Sequence, residues 1–271
     1  AALALSTDGG TAAAHAIMTT DLVPKQLAAR LEVEGRPVTT GGIAKGSGMI
    51  EPNMATTLGF VTSDAAIAAP LLQELLTASI DRSFNCITVD GDTSTNDTVL
   101  LLANGASGQV IDDKTAGGRA LDAFAAALDA VTLDLALKVV RDGEGATKLM
   151  QVDVVGARSD QEAHKVGKTV ANSPLMKTAL HGGEPNWGRI LMAVGRSPAE
   201  VEPSRISVWY GPTQIVADGL GVLDDLSPLA EAMAQSDVEL RIDLGIGSGE
   251  ARVYTCDLSA EYVRINGSYI S

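Results

Sequence analysis

A chain of 271 residues, 45% apolar but only 3% aromatic, can bury a sizeable core built mainly from Ala, Val, Leu and Ile, and its length suits one large domain or two moderate ones. A formal net charge of −14 argues against nucleic-acid binding, which relies on clustered Lys and Arg. No apolar run reaches the roughly 18–20 residues that cross a bilayer, no charged-then-apolar leader opens the chain, and Cys86 and Cys256 lack metal-ligand spacing. The expectation is therefore a cytoplasmic, acidic α/β enzyme with two free thiols and no membrane partner.

The first twenty residues are rich in small side chains, carry no start signal of their own and read as the interior of a longer sequence. Leu71, Leu72, Leu75, Leu76 and Ile80 share one face of a predicted helix. A strand, "CITVD", is expected next, then a polar turn, "GDTSTND", and a second buried strand in "TVLLLANG". Leu121, Phe124, Ala125, Leu128, Val131, Leu135 and Val139 follow the spacing of a second amphipathic helix, ended by the glycines of "RDGEGATK". From Met150 the period changes to two, with Met150, Val152 and Val154 alternating with Gln151 and Asp153. "VGKTVANSPLMKTALHG" reads as helix interrupted by Pro174, and the alternation over Leu240–Ile246 followed by "GSGE" and "ARVYTCDL" reads as a hairpin. The change of character near Lys148 divides the chain into residues 1–147 and a C-terminal subdomain, 148–271, richer in alternating strands. No G-x-G-x-x-G turn or Walker lysine motif suggests a dinucleotide or nucleotide cofactor.

Familiar catalytic patterns are missing. His15, His164 and His181 are widely separated, and no serine lies in a G-x-S-x-G elbow. Asp90, Asp92, Ser94 and Asn96 are spaced like the start of a calcium loop, but the glycine and the bidentate acid that would complete one are absent, so a hydrogen-bonded turn is the better reading. "GSGMIEPNMATTLGF" stands apart. A threonine at a chain start carries its own base, an α-amine of pKa about 7.7–8.0. An internal threonine reaches that state if its hydroxyl attacks the preceding carbonyl and the resulting ester hydrolyses. Ala55 offers little bulk to such an attack on the bond before Thr56, and Pro52, Gly46 and Gly48 shape the approach. The residue types permit this chemistry without showing it, and by themselves they favour a plain Thr pair at a strand start or helix cap.

Six blocks in order decide between them: "AIMTTD", "KGSGMIEPNMATTL", "DGDTSTNDTVLLLANG", "DGEGATK", "EPNWGRI" and "YVRINGSYIS". Together, across nearly the whole chain, they resemble the ornithine acetyltransferase (glutamate N-acetyltransferase) family. The resemblance implies mixed sheets layered with helices, the ornithine acetyltransferase/DmpA-like fold, with a smaller C-terminal α+β subdomain. It implies acetyl transfer from N2-acetyl-L-ornithine to L-glutamate in arginine synthesis, with acetyl-CoA a second donor in some members, and no bound cofactor or metal. It implies self-cleavage between Ala55 and Thr56, with Thr56 as nucleophile and the two pieces remaining together as a heterotetramer of two copies of each. Substrate-binding positions carried over are Thr19, Lys45, Thr56, Glu144, Asn266 and Ser271. Lys45 would neutralise a carboxylate, Glu144 would accept from an ammonium, and Thr19, Asn266 and Ser271 would hydrogen-bond amide or carboxylate groups. Two departures stand out: Ser271 replaces the family's usual terminal threonine, and the family's N-terminal segment, whose Ser-Thr-Gly stretch supplies the oxyanion hole, has no counterpart here. Alternatives are a self-processing N-terminal-threonine amidase or aminopeptidase, in which water takes the acyl group, and a non-catalytic metabolite-binding subunit.

Overall fold

The computed structural model describes residues 6–52, 58–223, 225 and 227–268. The chain divides into two units, residues 1–87 with 92–142, and residues 88–91 with 143–271. Ala55, Thr56 and Ser271 lie outside the described residues.

In the first unit, after α1 (Gly10–Ala16), strands β1 (Lys25–Val33) and β2 (Arg36–Lys45) form a hairpin with Val33 opposite Arg36. The two turn residues, Glu34 and Gly35, both have positive φ (51° and 76°), the geometry that matches the right-handed twist of the strands. β3 (Leu58–Ser63) pairs antiparallel with β2, and β4 (Thr98–Ala103) pairs parallel with β3, so the sheet order is β1-β2-β3-β4. The parallel step requires a crossover, and α2 (Ala69–Asp81) with its leucine-rich face lies within it. Helix α3 (Arg119–Arg141) buries Phe124, Leu128, Val131, Leu135 and Val139, the stripe expected from sequence, and packs on β1 and β2. Gly42 of β2 admits that packing, because a Cβ there would fall 2.9 Å from Leu135 Cδ1.

Two expectations fail here. β4 is no buried strand: its residues alternate exposed and half-buried, with Leu100 and Leu102 outward. "CITVD" is no strand either. Phe84–Cys86 form a 3-10 turn, and Ile87, Thr88 and Val89 are buried outside any named strand, the Thr88 amide donating to the Tyr254 carbonyl at 2.9 Å. Burial alone made that run apolar, and a short apolar run does not reveal whether it is laddered.

The second unit contains β5 (Leu149–Ala157), α4 (Asp160–Ala171), α5 (Pro174–Gly182), α6 (Trp187–Gly195), β6 (Ser207–Tyr210), β7 (Thr213–Ala217), β8 (Leu220–Gly221), α7 (Ala230–Ala234), β9 (Asp237–Asp243), β10 (Gly249–Cys256) and α8 (Ala260–Ser268). Its sheet order is β10-β5-β9-β6-β7-β8. Val152, Val154, Val208, Leu240 and Ile242 meet Ala163, Val166, Val170, Leu180, Ile190 and Val194 in one core. Pro174 does not kink a single helix. It opens α5, where its missing N–H costs nothing, and the Ser173 hydroxyl caps that helix through the Met176 amide.

β9 and β10 are not a hairpin. β5 lies between them, parallel to β9 and antiparallel to β10. The connecting glycines serve close approach to β5 rather than a two-residue turn, since a Cβ on Gly247 would lie 2.2 Å from the Ala157 carbonyl oxygen.

Candidate active site

Within the first unit, a buried lysine ties together the segments that carry two expected site residues. Lys25, at the start of β1, has no solvent exposure; its Nζ donates to Asp21 Oδ1 at 2.6 Å and to Asp142 Oδ2 at 2.5 Å. Asp142 caps the C-terminus of α3, where the helix dipole disfavours a carboxylate, so the Lys25 charge offsets an unfavourable placement. Asp142 Oδ2 also accepts from the Leu22 and Val23 amides, and its carbonyl accepts from the Ser47 hydroxyl at 2.6 Å. Asp21 accepts from the Thr19 amide at 3.0 Å and from the Gly46 amide at 2.7 Å. Burial works to raise the Asp21 pKa, but these amides and Lys25 outweigh it and hold the carboxyl below its ordinary value. One carboxylate thus fixes the backbone at Thr19 and, immediately after Lys45, at Gly46. Thr19 is exposed and Lys45 is half-buried.

Lys45 ends β2 opposite Leu58, which is opposite Thr98 at the start of β4. Leu58 is two residues after Thr56 in sequence. The turn before β4 is anchored on the other side of the expected cleavage point, because the Thr93 hydroxyl donates to the Glu51 carbonyl at 2.9 Å. Asp97, the last residue before β4, carries a buried Oδ2 that has no hydrogen-bond donor among the described residues. Burial pushes its pKa up to about 6, against the opposing effects of a hydrogen bond from the Ser94 backbone and the charge of Lys45.

In the second unit Glu144 and Asn266, 122 positions apart, meet directly: Asn266 Nδ2 donates to Glu144 Oε2 at 2.7 Å and to the Tyr262 carbonyl at 3.1 Å. Gly145 makes the approach possible. Its φ is +71°, and a Cβ would lie 2.6 Å from the Tyr262 nitrogen and 2.7 Å from Ser259 Oγ, which donates to the Gly145 carbonyl. The start of β5 is locked by Asp257, whose carboxylate accepts from the Thr147 and Lys148 amides, the Thr147 hydroxyl and His181 Nδ1 at 2.7–2.8 Å. Burial raises the Asp257 pKa, but these donors prevail and depress it. His181 is therefore held as a partner of this structural carboxylate.

Sequence reasoning did not find the Lys25 ion triad, Asp97 or the Asp257 cluster. Only the triad left a local trace, the i, i+4 pair of Asp21 and Lys25. Among the described residues, no helix is long and apolar enough to cross a membrane and no group of three or more His, Cys, Asp or Glu is arranged to hold a metal ion.

A sequence profile described as the ArgJ family matches residues 1–271. The arginine biosynthesis bifunctional protein ArgJ of Symbiobacterium thermophilum is 52% identical over 269 residues, 99% of this chain and 66% of that protein. Its namesake in Methylococcus capsulatus is 51% identical over 268 residues, 98% of this chain and 65% of that protein. The chain thus spans just under two thirds of the length of these relatives. The crystal structure of the arginine biosynthesis bifunctional protein ArgJ of Bacillus halodurans superimposes with a TM-score of 0.73 at 40% identity, covering 78% of this chain and 98% of that one.

Proposed function

Because the chain belongs to the ArgJ family, we propose that it transfers acetyl from N2-acetyl-L-ornithine to L-glutamate in arginine synthesis, through an ester on Thr56. The observation that carries this reading is the family match over residues 1–271, which includes the Ala55–Thr56 pair together with Thr19, Lys45, Glu144 and Asn266. The names of the relatives, which place them in arginine biosynthesis and call them bifunctional, support the pathway and a second activity, for which the reading takes acetyl-CoA as an alternative donor.

The Thr56 hydroxyl first attacks the Ala55 carbonyl and the Ala55–Thr56 C–N bond breaks, which frees the Thr56 amine and leaves Ala55 as an ester on the threonine oxygen; water then cleaves that ester, releasing the Ala55 carboxylate and restoring the hydroxyl. That amine accepts the hydroxyl proton as the oxygen attacks the acetyl carbonyl of the donor, then returns it to the departing ornithine nitrogen. Glutamate enters the vacated site and takes the acetyl group, a ping-pong order natural to a donor and acceptor that share the amino-acid framework. Lys45 receives a substrate carboxylate, Glu144 held by Asn266 reads the ornithine ammonium, and Thr19 and Ser271 complete the polar contacts. The cleaved pieces remain associated, two copies of each, in the cytoplasm. Mixing the enzyme with N2-acetylornithine alone should add one acetyl group to the piece that begins at Thr56, and glutamate should remove it much faster than water does. An enzyme that never acquires the acetyl group contradicts the reading, and clearance indifferent to glutamate replaces it with an amidase.

A further inference from the structure

The two substrates of the proposed reaction are alike near the α-carbon and opposite at the far end. N2-acetylornithine ends in an ammonium and glutamate in a carboxylate, so a site lined by acids alone would hold the first and repel the second. Helix α8 of the second unit brings groups of both kinds together. Tyr262 and Asn266 lie four residues apart on it and so share one of its faces. Each reaches a carboxylate from a different segment: Asn266 Nδ2 donates to Glu144 Oε2 at 2.7 Å, and the Tyr262 hydroxyl donates to Asp90 Oδ2 at 3.4 Å. Asn266 Nδ2 also donates to the Tyr262 carbonyl at 3.1 Å, which ties the two residues to each other.

Asp90 is brought to this helix by a short stretch, residues 88–91, that belongs to the second unit although it lies far from it in sequence. Thr88 anchors that stretch, its amide on the Tyr254 carbonyl at 2.9 Å and its hydroxyl on Asn172 Oδ1 at 2.6 Å. Asp90, Glu144 and Tyr262 are half-buried and Asn266 is exposed, so all four stand within reach of a ligand. A carboxylate accepts at about four positions, which leaves Glu144 room for an ammonium while Asn266 stays on it. The Tyr262 contact is longer than the roughly 2.5–3.0 Å of a full O–H···O bond, so the hydroxyl can turn to a better acceptor at little cost.

We propose that Asp90 and Tyr262 are specificity-determining residues, which with Glu144 and Asn266 form one subsite able to take an ammonium in the first half-reaction and a carboxylate in the second. This rests on the acetyl-transfer reading above. The distal ammonium of acetylornithine donates to Glu144 and Asp90. When glutamate follows, its side-chain carboxylate accepts from the Tyr262 hydroxyl, which leaves Asp90, and from the Asn266 amide, which gives up the Tyr262 carbonyl. The two donors then stand between the incoming carboxylate and the acids that would repel it. Asp90 thus serves the donor substrate and Tyr262 the acceptor, although the two side chains touch in the unliganded protein.

The test follows the half-reactions separately: uptake of acetyl from N2-acetylornithine by the enzyme, and clearance of acetyl from the acetylated enzyme by glutamate, each as a function of substrate concentration. In Tyr262→Phe the half-saturating concentration of glutamate should rise about 10- to 100-fold, the loss of one hydrogen bond to a charged group, while that of acetylornithine stays at the parent value. Asp90→Asn should do the reverse, raising the half-saturating concentration of acetylornithine over a similar range and leaving that of glutamate no higher than in the parent. Equal losses for both substrates in either variant would assign the pair to structure alone, and unchanged values for both would detach it from the substrates; each result overturns the proposal. Should Asp90→Asn fail to fold, Tyr262→Phe, which removes a single oxygen, decides by itself. A parent that never takes up acetyl sinks the acetyl-transfer reading and this proposal with it, whereas a parent that is acetylated and cleared normally leaves that reading standing whatever the variants do.

Discussion

Replacing Lys25 with methionine removes the charge that holds two carboxylates together and leaves the side chain's length nearly intact. Asp21 Oδ1 and Asp142 Oδ2 both touch Nζ, at 2.6 and 2.5 Å, so without it the two oxygens face each other no more than about 5 Å apart. At an effective dielectric constant of about 20, like charges at that separation repel by roughly 3 kcal/mol. Breaking a buried ion pair from one side costs about 3–5 kcal/mol in practice. The two aspartates keep their contacts with the amides of Thr19, Gly46, Leu22 and Val23, which places Lys25→Met toward the lower end of that range. Repulsion is relieved when one carboxyl takes a proton, so the loss should be smaller at pH 5 than at pH 8. Tryptophan or tyrosine fluorescence would miss this effect, because both Trp and all four Tyr belong to residues 143–271. Hydrogen exchange of β1 and β2 peptides, followed by mass spectrometry, reads the first unit directly. Protection unchanged to within about 1 kcal/mol, or a loss identical at both pH values, would refute the reasoning.

Gly145→Ala should weaken substrate binding more than the cleavage of the chain. The new methyl strikes the Tyr262 nitrogen and Ser259 Oγ, pushing α8 and Asn266 from Glu144, and should raise KM for acetylornithine by at least about tenfold, equivalent to ~1.4 kcal/mol. An unchanged KM in a folded variant would show that the Glu144–Asn266 contact does not matter to the substrate. Asp257→Asn tests the lock at the start of β5. The native carboxyl has a depressed pKa, so its stabilisation is complete above the ordinary carboxylate value near 3.8 and fades as pH falls through the lower folded value. Denaturant unfolding followed by tryptophan fluorescence should show the variant less stable at pH 7 by about 2–4 kcal/mol, with the gap closing as the pH falls below about 4. A gap independent of pH would remove the carboxylate from the explanation.

The long helices and single strands were legible because their information is local. The stripe from Phe124 to Val139 and the alternation from Met150 to Val154 each record one buried face, and the structure returns them as α3 and β5. Strand partnership was not legible. β9 and β10 read as a hairpin because they are consecutive, and no residue within either announces that β5 passes between them. The meeting of Glu144 with Asn266 likewise depends on Gly145 giving way to α8, a tertiary fact that no neighbouring residue in the sequence announces. Asp97 read as one more polar turn residue, because whether an oxygen is buried and empty is decided by the surrounding fold.

The central claim is that Thr56 acts from a chain terminus of its own making, and intact mass combined with N-terminal sequencing of the purified protein tests it most directly. The account expects two chains, one of them beginning Thr-Thr-Leu-Gly-Phe, in the parent, and one uncut chain in Thr56→Val. An active enzyme that keeps the Ala55–Thr56 bond in a single chain would contradict it.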